Sequence, residues 1–360
     1  MNTILRSSIF EVNLDGHGGN HRSIQLLELV RAAEFEVSDL KSDVKTVRLS
    51  RYLNGINFLV KHKLPISLSY QLIGKCGHYY EIYKSFLMDY SGAKLLLWEE
   101  TSNYLIPCVA KEAMFKIIAV PQNLESLVIG NVNSFTQKGL PENFENEVEY
   151  LSKADAVFCI SREEQWLLKL RGINADFLPY YPPKLIFLNL LKIRELRSSL
   201  QSKNFLILGT AANPPTLIGM IEQIWWLNQI KKEVDFQVDI AGYGTEQLKE
   251  YCDHPTFTLH GTVDSSKLNH LLSNAKAVLV HQKAGVGALT RIPEMLVAGV
   301  PVIANGNACR SAFNYSGVYY YDSQTELADL MSKQLNSPPI LPRPIEAEKR
   351  FINCVKQLAQ

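Results

Sequence analysis

The chain has 360 residues, 46% of them hydrophobic and 20% charged, which is material for about two domains with buried cores and a solvated surface. Its 37 basic and 36 acidic residues leave a formal charge of +1, which argues against nucleic acid as a partner, because phosphate binding needs clustered cationic surface. Six scattered cysteines, none in a Cys-x-x-Cys pair, indicate neither a disulfide scaffold nor a zinc site and point to a reducing cytoplasm.

The first residues, MNTILRSSIFEV, lack the basic start, apolar stretch and cleavage site of a signal peptide. No uninterrupted apolar run approaches the ~20 residues that span a bilayer, so a soluble protein is expected. Strand-like runs are predicted at Ile4–Val12, Val44–Leu49, Lys94–Trp98, Phe115–Val120, Ala156–Ile160, Phe205–Leu208, Phe236–Ala241, Thr256–His260, Ala277–Val280 and Val300–Ala304. Helical spacing of apolar residues lies between them, as at Ser23–Phe35, Tyr79–Asp89, Glu163–Leu170 and Ser265–Ser273. Alternating strands and helices imply an α/β protein with parallel sheets covered on both faces. Pro179, Pro182 and Pro183 interrupt helix and strand alike and mark a domain boundary. A second proline cluster (Pro338, Pro339, Pro342, Pro344) precedes a last helix, Ile345–Leu358. Ligands of open α/β sheets bind at the carboxyl ends of the strands, so the cleft between two such sheets is the default site.

Four motifs fall at such strand ends. After the first strand, Gly18 and Gly19 let the backbone approach a phosphate, the amides of a helix start attract anions, and Arg22 adds a cation. The competing reading is a tight turn capped by Asn20 or Ser23. The spacing is not Gly-x-Gly-x-x-Gly, and no acidic residue closes an obvious second strand about 20 residues on, which disfavours a dinucleotide site. His17 and His21 flank these glycines and are substrate-side candidates, although a lone histidine is more often a packed or surface residue. After Phe115–Val120 come Gln122, Asn123 and Glu125; the carboxylate would bind a hydroxyl or accept a proton, or the segment simply caps a helix. Gly242 and Gly244 follow Phe236–Ala241 and suit either a nucleobase resting on backbone or an ordinary turn.

The fourth motif is the most specific and runs from Val278 to Asn305. A strand ends at His281, Lys283, Gly285, Val286 and Gly287 form a loop, and a helix carrying Arg291 and Glu294 leads to Gly299-Val300-Pro301. Glycine amides there would meet a diphosphate, Arg291 would offset its charge, and Glu294 would take two ribose hydroxyls with its two oxygens. The bland alternative is a solvated Arg291–Glu294 helix pair worth a few tenths of a kcal/mol, roughly.

On these residues the sequence resembles the retaining GT-B glycosyltransferases of family 4. Gly285, Gly287, Arg291, Glu294, Ala298, Gly299, Pro301 and Val302 fall on that family's donor motif. Gly18-Gly19, the run Glu149–Ser161, Leu208-Gly209-Thr210 with Asn213-Pro214-Pro215, Ile240–Gly244 and Leu259–Val263 extend the likeness over most of the chain. Three places depart from it. Val286 stands where a first glutamate is common, Thr210–Met220 lacks the usual Arg and Lys, and Gln122, beside Asn123, stands where a histidine is common.

The resemblance implies a GT-B fold, two Rossmann-like domains facing across a cleft: residues 1–182 on the acceptor side, 183–340 holding the nucleotide sugar, and 341–360 packing back on the first domain. It implies transfer of a sugar from a nucleotide diphosphate sugar to a saccharide or lipid-linked acceptor, with retention, in bacterial polysaccharide or glycolipid synthesis. No cofactor or tightly bound metal is expected. Donor contacts would come from Gly18, Gly19, Arg22, Gly242, His281, Gly285, Val286, Gly287, Arg291 and Glu294. His17, Gln122, Asn123 and Glu125 would face the acceptor, with Arg291, Glu294, His17 and His21 as the catalytic candidates. The alternatives are a degenerate GT-B protein that binds nucleotide or glycan without catalysis, a nucleotide-sugar epimerase, and a Rossmann oxidoreductase. The basic amphipathic run Lys184–Arg197 suits peripheral contact with the inner face of a membrane, or packing between the domains.

Overall fold

The computed structural model describes residues 2–40, 50–64, 70–90, 92–197 and 204–360, so the predicted strand Val44–Leu49 lies outside the described residues. The chain divides into two compact units. The first comprises Met1–Val12, Ser23–Pro179 and Pro344–Gln360, and the second Asn13–Arg22 and Tyr180–Arg343.

The first unit is built on β1 (Asn2–Ser7), β2 (Phe35–Asp39), β3 (Leu95–Trp98), β4 (Lys116–Ala119), β5 (Ala156–Cys159) and β6 (Ala175–Phe177). They form one parallel sheet in the order β2-β1-β3-β4-β5-β6. Its helices are α1 (Gly18–Ala32), of which Gly18–Arg22 belongs to the second unit, α2 (Ser50–His62), α3 (Tyr70–Asp89), α4 (Leu105–Glu112), α5 (Glu142–Leu151) and α6 (Arg162–Leu170). The second unit adds α7 (Lys184–Leu196), β7 (Asn204–Leu208), α8 (Pro214–Ile230), β8 (Gln237–Ala241), β9 (Phe257–Gly261), α9 (Ser265–Asn274), β10 (Ala277–Val280), α10 (Arg291–Val297), β11 (Val302–Asn305), β12 (Val318–Tyr321) and α11 (Gln324–Ser332). Its parallel sheet runs β12-β11-β10-β7-β8-β9. The chain ends in α12 (Ile345–Leu358), part of the first unit.

Central strands such as Leu95-Leu96-Leu97-Trp98 and Ala277-Val278-Leu279-Val280 are buried at every position, as strands covered by helices on both faces must be. Successive side chains leave a strand on opposite faces. Val278 and Val280 pack with Ile292, Met295 and Leu296 of α10, whereas Ala277 and Leu279 pack with Ile224 and Leu227 of α8.

Several boundaries differ from the sequence expectation. The first strand ends at Ser7, because Ile9 and Val12 lie past the sheet and are exposed. The helix predicted to reach Phe35 stops at Ala32, and Phe35–Asp39 is an edge strand that buries only Phe35 fully, a pattern too polar to stand out. That strand also corrects the expectation that no acidic residue closes a second strand: β2 ends on Asp39. This carboxylate is taken by the buried Arg6 of the neighbouring strand, whose Nη2 donates to Asp39 Oδ2 at 3.0 Å. The strands β6 and β12 also lie outside the predicted runs: β6 has only three residues, and β12 buries only Tyr321 fully.

Candidate functional site

The chain leaves β10 at Val280, and strand alternation places its next side chain, His281, on the α8 face. There its Nδ1 lies 2.9 Å from the Tyr321 hydroxyl and its ring meets Trp226 edge-on. Burial holds the His281 pKa below its ordinary value, against the opposing pull of Glu222. His281 thereby lines a polar cavity of about 180 Å³ with Glu222, Trp226, Lys283 and Asn305, and the structure does not bring it to Glu294.

Glu294 stands in the first turn of α10, on the other face of the sheet. The Tyr180 hydroxyl donates to its Oε1 at 2.6 Å, and Nδ1 of His21 lies 2.7 Å from the same oxygen. His21 Nε2 lies 3.2 Å from the Leu14 carbonyl. Both ring nitrogens of His21 thus face acceptors. A neutral ring would set one lone pair against an oxygen, so the imidazolium fits both contacts. Burial alone would lower the His21 pKa, but Glu294, the Leu14 carbonyl and Asp15 together raise it. Both bonds to Glu294 fall on Oε1, and Oε2 has no hydrogen-bond partner among the described residues.

Gly18 explains how Asn13–Arg22 approaches α10: a Cβ there would collide with the Thr290 hydroxyl, so a larger residue would force the Thr290 side chain to shift. The Gly19 amide donates to His17 Nδ1 at 3.2 Å, and partial desolvation and the nearby His21 lower the pKa of His17. His17 is exposed and Arg22 is fully buried. Arg291 turns from the loop and donates from Nη1 to the Leu208 carbonyl at 2.5 Å. Burial pushes its pKa down to about 10, which keeps it charged at neutral pH. The Gly242 amide donates to the Gly261 carbonyl at 2.8 Å, at the carboxyl ends of β8 and β9.

Sequence reasoning missed two residues here. Tyr180 sits in the proline-rich stretch read only as a linker. Arg310 follows β11 in an irregular segment with no periodic signal. Its Nη2 donates to the Val286 carbonyl at 2.9 Å, its Nε reaches the Gly287 carbonyl at 3.5 Å, and a Cβ on Gly285 would fall 1.3 Å from Nη1.

Gln122, Asn123 and Glu125 lie in the first unit. Gln122 Nε2 donates to Glu99 at 3.5 Å and Asn123 Nδ2 to Glu125 at 3.3 Å. Burial raises the Glu125 pKa, which the Asn123 bond partly offsets. The 3₁₀ turn that Glu125 opens is capped by a distant group: Glu147 accepts from the amides of Glu125 and Ser126, both at 3.0 Å. Burial raises the Glu147 pKa to about 7.

Among the described residues no group of three His, Cys, Asp or Glu side chains is placed to hold a metal ion, and no helix is long and apolar enough to cross a membrane. In the basic run of α7, Arg194 donates to the Leu296, Val297 and Pro338 carbonyls, and Arg197 to those of Leu272 and Ala275. Those two cations tie α7 into its own unit.

No protein-family model matches the chain, and none of the curated proteins does. Solved structures do. A sucrose-phosphate synthase from Thermosynechococcus elongatus matches with a TM-score of 0.64 at 15% identity, over 100% of this chain and 95% of that one. Anabaena HepE, in complex with UDP and glucose, matches with a TM-score of 0.59 at 12% identity, over 99% and 97%. A UDP-GlcNAc 2-epimerase from Methanocaldococcus jannaschii matches with a TM-score of 0.54 at 14% identity, over 99% of each chain. At such identities the likeness shows the fold: two Rossmann-like units, each with a six-stranded parallel sheet, of the GT-B type.

Proposed function

We propose that this chain is a glycosyltransferase that moves a sugar from a nucleotide diphosphate sugar to a saccharide or lipid-linked acceptor, with retention, in cytoplasmic bacterial polysaccharide or glycolipid synthesis. The observation that carries the reading is Glu294, whose Oε2 is left unbonded by its neighbours at the foot of a glycine loop. Oε2, and Oε1 once His21 or Tyr180 releases it, would accept from the adjacent hydroxyls of a ribose, with the 285–287 loop as the candidate for the diphosphate. The UDP complex of the HepE neighbour and the nucleotide-sugar substrate in the epimerase's name support a donor of this class.

In the reaction, the bond between the anomeric carbon and the β-phosphate oxygen breaks and the acceptor hydroxyl oxygen bonds to that carbon. The hydroxyl proton passes to the departing phosphate, so no single protein base is required. Arg291 stays charged and contributes to the local positive potential, while its bond to Leu208 keeps it in place. The reading carries no resident metal, so turnover survives EDTA; loss of activity on chelation, restored by one divalent ion, would refute that part.

The test is a screen of UDP-, GDP-, ADP- and TDP-sugars by thermal shift, followed by calorimetry with the best donor. Glu294→Ala weakens donor affinity by about tenfold to a hundredfold, the worth of hydrogen bonds to a charged group. Full donor affinity and turnover in that variant would overturn the scheme. The engagement of Glu294 by His21 and Tyr180 favours a second reading, a GT-B protein that binds nucleotide or glycan and assists a partner. Release of nucleoside diphosphate from any nucleotide sugar, with an acceptor consumed, excludes both that reading and an epimerase.

A further inference from the structure

Arg310 lies outside every motif read from the sequence, yet its guanidinium rests on the loop that the donor reading uses. It approaches the carbonyls of Val286 and Gly287, two successive peptide units, and fills the space where Gly285 lacks a side chain. In a trans peptide the C=O and the following N–H point in opposite directions. Binding both carbonyls on one side therefore turns the N–H groups that follow them, that of Ala288 included, to the other. Gly287 has a φ of +68°, a left-handed residue of the kind that makes neighbouring amides converge on an anion.

We propose that Arg310 is a positioning residue for diphosphate recognition: it pins the loop carbonyls so that the Ala288 amide is turned towards the phosphates. The residue acts through the loop and need not touch the ligand. Its planar fork spans two carbonyls, which a lysine ammonium cannot hold as a pair. Gly285 belongs to the same device. The atom that a Cβ at 285 would meet is the end of a flexible side chain, so alanine there displaces the guanidinium without breaking the backbone. The inference rests on the donor reading above and adds the residue that shapes the loop.

The experiment titrates UDP, GDP and ADP, each beside its parent nucleoside, into the full chain and its variants by calorimetry, with thermal unfolding recorded in parallel. The wild type binds one diphosphate more tightly than its nucleoside. Arg310→Gln and Gly285→Ala each lower that diphosphate affinity by about tenfold, with nucleoside affinity unchanged. Arg310→Lys recovers part of the loss. Because the two residues act as one unit, the double variant is no worse than either single one. Unchanged diphosphate affinity in Arg310→Gln, equal loss for nucleoside and diphosphate, or additive losses in the double variant would each overturn the proposal. A wild type that binds none of the three diphosphates overturns the donor reading itself, and the inference with it.

Discussion

His21 holds its proton between two acceptors, the Glu294 carboxylate and the Leu14 carbonyl, and this has a consequence for stability. Its folded pKa is raised above the ordinary 6.5, so the imidazolium's contribution is complete below about 6.5 and is lost as pH rises through the folded value. Unfolding by urea should accordingly show a midpoint that declines as pH is raised from 6.5 towards 9. His21→Gln should flatten that decline. Glu147 gives the same sign in a different window, because a buried carboxyl with its pKa raised to about 7 loses stabilisation between pH 4.5 and 7. Glu147→Gln should flatten only the lower window. An unaltered profile above pH 7 in His21→Gln would show that the pair does not carry charge. Of this cluster only Glu294 was legible as part of a compact motif, because helix, glycine loop and Gly-x-Pro lie within one short run of chain. His21 was visible as a histidine near a glycine pair, but its partner stands 273 positions away, and no local pattern encodes a contact of that reach. Tyr180 and Arg310 had no signal at all for the same reason.

At the level of elements, legibility followed burial. Strands covered on both faces, such as β3 and β10, are continuous apolar runs and were read nearly to the residue. The half-exposed β2 carries Glu36, Ser38 and Asp39 and blended into the preceding helix. The placement of His281 was legible in principle, since counting by twos from Leu279 puts it on the α8 face; the motif drew attention to its position along the chain and away from its side. The last helix, α12, is the clearest amphipathic element. Phe351 is fully buried and meets Phe158 of β5 edge-to-face, with ring centroids 5.1 Å apart. Replacing it by alanine removes a large buried side chain and leaves a cavity, so Phe351→Ala should cost about 3–5 kcal/mol in the first unit. Urea unfolding followed by far-ultraviolet dichroism measures this. A loss below about 1 kcal/mol would mean that α12 is not part of that unit's core.

At the level of the whole molecule, each unit has its own sheet and core, and the groups assigned to the donor are gathered in one of them. The glycine loop, Glu294, Tyr180 and Arg310 lie within Tyr180–Arg343, and His21 joins them through the segment Asn13–Arg22. Ligand binding stabilises the states that contain an intact site, by about 2.7 kcal/mol at a ligand concentration one hundred times Kd. Amides whose exchange requires opening of that site should therefore slow by about a hundredfold, and amides that exchange by openings elsewhere should not. Hydrogen exchange with a saturating nucleoside diphosphate should protect residues 285–297 and the backbone around His21. The strands β3, β4 and β5, which hold the first unit's core, should exchange as before. Protection spread evenly over both sheets would mean that the ligand stabilises the chain as a whole, and protection confined to the first unit would place the donor site among Glu99, Gln122 and Glu125. The second result would remove Glu294 from the donor site, whatever the fold.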